Sequence, residues 1–91
     1  SVMRVVMQNI NALRYAYNKR LREIPGLKGK VTVKFAIDEF GKVLYCQVVE
    51  SSINDQELES VITDKVGKWV FDKIDKPGDI TEVVYPFMFS Q

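Results

Sequence analysis

The sequence predicts an α+β fold in which two helices pack on one face of a three-stranded antiparallel sheet, with chain order α-β-β-α-β and sheet order 2-1-3. Three observations carry this. Apolar residues from Met3 to Ile24 recur every three or four positions, Val31 to Ile37 alternates with a period of two, and the chain closes on an alternating aromatic run, Val83 to Phe89, that contains Pro86. A chain of 91 residues that is 46% hydrophobic can bury one core, so a single domain is expected over 1–91.

Met3, Val6, Ile10, Leu13, Tyr17, Leu21 and Ile24 form the expected inner stripe of a long first helix, with Arg4, Gln8, Asn11, Arg14 and Asn18 displaced from it. Pro25 disfavours helical backbone at Ile24 and Gly26 follows at once, so the helix ends there. Val31, Val33, Phe35 and Ile37 alternate with Lys30, Thr32, Lys34 and Ala36, as in a strand with one buried face. Asp38-Glu39-Phe40-Gly41 reads as a hairpin loop with glycine in a left-handed position. In the returning strand, Lys42 to Glu50, Val43 and Tyr45 oppose Leu44, Cys46 and Val48 in phase, which either a bulge or burial on both faces accommodates.

Ile53 to Leu58 has the pattern of a helix start: Asn54 caps the N–H of Glu57, Glu57 reaches back, and Ile53 and Leu58 close over the cap as a hydrophobic staple. Leu58, Val61 or Ile62, Val66 and Trp69 supply the buried side of this second helix, and Gly67 weakens its last turn. Asp72 to Ile80 is a polar connection built around Pro77-Gly78. A right-handed crossover then sets the last strand beside the first. Proline removes a ladder donor, so the last strand belongs at an edge with the Pro86 nitrogen turned outward. Residue alternation turns the backbone groups of Val84 and Met88 the same way. Val84, Pro86 and Met88, together with Tyr85, are the candidate partner-binding residues, because an open edge is a template for another protein's extended segment. Tyr85 shares the phase of Phe87 and Phe89 and reads first as a core tyrosine with a peripheral hydroxyl.

Other residue types point away from catalysis. There is no histidine and one cysteine, so no catalytic residue, cofactor or metal site is expected, and no disulfide forms within the chain. Cys46 reads as a small hydrophobe, Trp69 as a core anchor, and Ser51-Ser52 as turn residues. Asp55, Glu57 and Glu59 suit the positive end of a helix dipole. No apolar run approaches the roughly 20 residues of a membrane span. Arg4, Arg14, Lys19, Arg20 and Arg22 against Glu23 alone give the first segment a charge of +4, leaving −3 on the rest. The cations lack interleaved stacking aromatics, so the segment reads as a solvated helix face and no nucleic acid is expected.

Across nearly the whole chain, Gly29-x-Val31-x-Val33-x-Phe35-x-Ile37, Gly41-x-Val43, Ser51-Ser52, Glu57-Leu58-Glu59, Trp69-x-Phe71 and Tyr85-Pro86-Phe87-x-Phe89 resemble a TonB-family C-terminal domain. The nearest likeness is to the branch that ends adventurous-gliding-motility proteins. That branch carries two cysteines, at positions that read Ala16 and Val61 here, and the resemblance implies that both sites face the interior. It further implies a periplasmic domain, tethered to the inner membrane through an upstream segment, that links an inner-membrane proton-driven motor to an outer-membrane receptor or other envelope protein by strand addition at its last strand. The other reading of the same edge is self-association, as a homodimer within an envelope or gliding-motility complex.

Overall fold

A computed structural model describes residues 2–73 and 77–91, so Ile74, Asp75 and Lys76 of the connection before the last strand lie outside the described residues. The elements are α1 (Val2–Glu23), β1 (Gly29–Ile37), β2 (Val43–Ser51), α2 (Gln56–Gly67) and β3 (Thr81–Phe89). They form a three-stranded antiparallel sheet of order β2-β1-β3. The α+β class, chain order and strand order are those the periodicities predict.

Central β1 buries Val31, Val33, Phe35 and Ile37 on the helix side, opposite Phe87, Tyr85, Val83 and Thr81 of β3. Leu13 and Tyr17 of α1 and Leu58, Ile62 and Val66 of α2 close the same core. Trp69 and Phe71 follow α2 and extend the core as an aromatic cluster. Phe71 stacks on Phe35 at 5.6 Å, and Trp69 meets Phe87 edge-on at 6.1 Å. The Tyr17 ring lies 5.1 Å from Phe89, and its hydroxyl donates to the Leu27 carbonyl, which ties the end of α1 to the loop entering β1.

Three local expectations are corrected. The α1 stripe is rotated: Val5 and Ala16 are buried, whereas Met3 and Ile24 are exposed, because neighbours from β3 and α2 select the face within a helix that is apolar over a broad arc. The N-cap of α2 is Asp55 rather than Asn54. Asn54 instead takes a left-handed φ of 52°, and Glu57 pairs with Arg20 rather than returning to the cap. Trp69 lies just beyond α2, its N–H donating to the Val66 carbonyl at 3.1 Å.

The phase conflict in β2 resolves as two bulges. Ile37 pairs with Val43 and Ala36 with Tyr45, which skips Leu44; Val33 pairs with Val48 and Thr32 with Glu50, which skips Val49. Each bulge puts two successive side chains on the outer face, so Val43, Cys46 and Val48 all reach the core despite unequal spacing. Ala16 is buried and Val61 packs against the core, so both positions face the interior.

The β1–β2 turn is built as read. Asp38 Oδ1 accepts the N–H groups of Phe40 and Lys42, each at 2.9 Å, and Gly41 has φ 87°. The Gly41 carbonyl also accepts the Phe71 N–H at 2.8 Å, which docks the aromatic segment after α2 onto the hairpin.

Candidate functional site: the open edge of β3

Backbone direction along β3 follows from two hydrogen bonds at opposite ends of β1. The Lys30 carbonyl accepts the Ser52 N–H, and the Asp38 N–H donates to the Lys42 carbonyl, each at 2.9 Å. Even-numbered residues of β1 therefore turn toward β2 and odd-numbered ones toward β3. The β1–β3 register is unbroken over nine pairs, from Gly29↔Phe89 to Ile37↔Thr81. Val83, Tyr85, Phe87 and Phe89 thus bond to β1, and Glu82, Val84, Pro86 and Met88 turn their backbone groups to the open side. Pro86 sits where its missing N–H leaves the ladder intact.

The two edges of the sheet differ. Bulges at Leu44 and Val49 twist and interrupt β2, a recognised device against pairing, and α2 lies along that strand. Along β3 the open side is regular, with a missing donor only at Pro86. Val84, Pro86 and Met88 also point their side chains away from the helices, where Val84 is 59% and Met88 73% exposed. Tyr85 is placed otherwise: its backbone faces β1 and its half-buried ring packs 4.8 Å from Phe87 on the core side. Of the four candidate residues, three present themselves to an incoming strand by backbone, and Tyr85 borders the edge through its ring.

Two depressions flank the end of β3, a feature that depends on how α1 and the β1 entry converge and that no local pattern announces. One, of about 390 Å³, lies between Arg14, Tyr17 and Asn18 of α1 and Met88, Phe89 and Ser90. The other, of about 520 Å³, opens toward Lys28, Gly29, Lys30 and Ser52. On the outer face Lys30 pairs with Glu50 at 2.9 Å, which holds the Glu50 carboxyl below its ordinary range. The Tyr45 hydroxyl donates to Glu82 at 2.5 Å, with Lys34 3.8 Å from the same carboxylate. That hydrogen bond raises the Tyr45 pKa and spans Ala36, which is fully buried although it lies on the outer face.

The remaining singled-out groups have structural surroundings. Cys46 is half-buried against the core, and burial pushes its thiol up to about 11. Ser51 Oγ donates to Glu59 at 2.9 Å, and Ser52 Oγ accepts the Lys30 N–H at 2.8 Å. Arg20 grips both oxygens of Asp55, at 2.8 and 2.9 Å, and also meets Glu23 and Glu57. The Arg20 hydrogen bond leads in holding Asp55 below the usual carboxylate range; the N–H groups of Glu57 and Leu58 add to this without meeting the geometry of a capping bond. Among the described residues no three His, Cys, Asp or Glu side chains gather as metal ligands, and no helix is long and apolar enough to cross a membrane. In comparison with known proteins, no family model, curated protein or solved structure matches the chain.

Proposed function

We propose that this domain captures an extended segment of a partner protein by strand addition at β3, as the periplasmic C-terminal domain of a TonB-family energy-transduction protein. The observation that carries the reading is the asymmetry of the edges: β3 offers the outward groups of Val84, Pro86 and Met88 in unbroken register, while β2 is bulged twice. In such a complex Val84 and Met88 exchange N–H and C=O bonds with the incoming strand, and Pro86 accepts only, which makes register-shifted pairings unequal. Side chains opposite these three lie beside an apolar row, and the alternate ones enter the groove toward α1.

The transducer assignment rests on the resemblance of the Gly-Val-Val-Phe-Ile strand, the Gly41-x-Val43 turn and the Tyr-Pro-Phe-x-Phe terminus to that family. The partner class is an outer-membrane receptor or other envelope protein, with the inner-membrane proton-driven motor reached through an upstream segment.

An amide NMR titration with peptides from the N-terminal segments of outer-membrane receptors tests this. Expected shifts concentrate at Val84 and Met88, and Val84→Pro abolishes them without unfolding, because the Val84 N–H makes no bond to β1. If millimolar peptide leaves that edge unperturbed, strand capture is refuted. If light scattering then shows mass rising with protein concentration, the edge serves self-association instead.

A further inference from the structure

The outer surface of α1 combines charge and apolar groups, of which strand capture uses only Arg14, at the rim of the groove beside Phe89. Five cations lie on this helix, and two of them are tied to carboxylates of other segments: Arg4 to Asp72 and Arg20 to Asp55. Arg14, Lys19 and Arg22 enter no ion pair among the described residues, and all three are exposed. At 1.5 Å per residue they extend over about 12 Å of one helix side. Tyr15, 70% exposed, lies among them, and Met3 and Met7, 54 and 58% exposed, lie two to three turns earlier beside Arg4; the only acid on the helix, Glu23, is held by Arg20. The opposite side is committed to the core through Val6, Leu13 and Tyr17. The α1 segment carries +4 against −3 on the rest of the chain, so the chain's excess positive charge is concentrated on this helix.

We propose that the exposed face of α1 docks on the anionic phospholipid headgroups of a bilayer. Charge complementarity selects the occupant: three unpaired cations face outward, and the carboxylates that meet this helix, Asp72, Asp55, Glu23 and Glu57, are each paired with Arg4 or Arg20. The apolar groups decide between a bilayer and the other polyanion, nucleic acid. A bilayer is flat over the whole length of the helix, so two thioethers near its start and a phenol ring among the cations of its second half all reach the headgroup boundary, where apolar bodies sink and charged ends stay wet. A phosphodiester backbone offers the two methionines nothing. Tyr17 meets Phe89 from the core side of α1, so the end of β3 lies about one helix diameter, roughly 10 Å, behind the docked face.

Sedimentation of the 91-residue chain with vesicles tests the assignment. Vesicles of phosphatidylglycerol and phosphatidylcholine in equal parts should retain the protein at low salt, and phosphatidylcholine alone should not. Each cation near an anionic surface strengthens binding about fivefold, so a variant carrying Arg14→Gln, Lys19→Gln and Arg22→Gln should bind roughly a hundredfold more weakly. Trp69 emission should be unchanged, since all three are surface positions. Met7→Ser with Tyr15→Ser should also weaken binding, by a factor that persists as salt is raised. Equal retention by both vesicle types, no retention by the anionic ones at low salt, or parental binding by the triple glutamine variant would each overturn the proposal. So would a single-stranded oligonucleotide that binds the parent and the Met7→Ser, Tyr15→Ser variant alike while anionic vesicles retain neither.

Discussion

Gly41 and Gly26 form a matched pair in which one backbone conformation occurs in two surroundings. Both have φ 87°, a region that L-residues enter at a cost of roughly 1–2 kcal/mol. A Cβ on Gly26 would meet nothing within 4 Å, whereas one on Gly41 would lie 2.0 Å from the Phe71 carbonyl oxygen and 2.8 Å from its carbon. Ordinary contact needs about 3.4 Å or more, so Gly41→Ala must push the Phe71 backbone away by more than an ångström. That displacement breaks the 2.8 Å bond from the Phe71 N–H to the Gly41 carbonyl and loosens the Phe71 ring from Phe35. One lost hydrogen bond and a disturbed aromatic contact each contribute about 1 kcal/mol. Gly26→Ala should therefore destabilise by about 1 kcal/mol and Gly41→Ala by about 3 to 4 kcal/mol. With a urea slope near 1 kcal/mol per molar for a chain of this size, the two midpoints should fall by about 1 M and about 3 M. The buried single tryptophan, Trp69, beside Phe71, reports the transition. Equal midpoints for the two variants would refute the reasoning, since they share the same backbone strain and differ only in the contact with Phe71.

Further expectations follow from the same geometry. If Asn54 is chosen for its left-handed φ rather than as a cap, Asn54→Gly should be close to neutral and Asn54→Ser should lose about 1 kcal/mol in thermal unfolding; a capping role would reverse that order. The depressed folded-state pKa of Asp55 means that its stabilisation is complete above the ordinary aspartate range and is lost as pH falls through the lowered value. The urea midpoints of the parent and of Asp55→Asn should therefore converge below about pH 4, and a gap that stays constant to pH 3 would count against the Arg20 pairing as its cause. Cys46, with its thiol pushed up to about 11, should resist a thiol-specific reagent at neutral pH in the native protein and react fast once urea exposes it.

Much of the fold was written locally. The period of two in Val31–Ile37 and the Asp38–Gly41 turn need only side-chain alternation and the φ preference of glycine, so β1 and its hairpin stand where the pattern puts them. Pro86 carried information of the same kind. A residue with no N–H has one comfortable orientation in a ladder, and that orientation, with the alternation of its neighbours, assigned Val84 and Met88 to the open side. Periodicity placed Tyr85 equally well, on the core side with Phe87.

What only the tertiary structure decided involves choices among locally equal alternatives. Val43–Val48 is compatible with either phase, and the two bulges appear because β1 fixes which β2 side chains must reach the core. Met3 and Val5 lie on different arcs of one helix, and packing in the shared core buries Val5 and leaves Met3 out. Asn54 and Asp55 are both good capping residues; Arg20, 35 positions away, draws the Asp55 carboxylate inward, and the helix starts after it. The blunted β2 edge, the grooves beside Phe89 and the unpaired cations of α1 belong to this second class. Covalent geometry and side-chain period are properties of a few consecutive residues and can be read from them, but a choice of face, register or ion partner is a difference between contacts made by segments far apart in the chain.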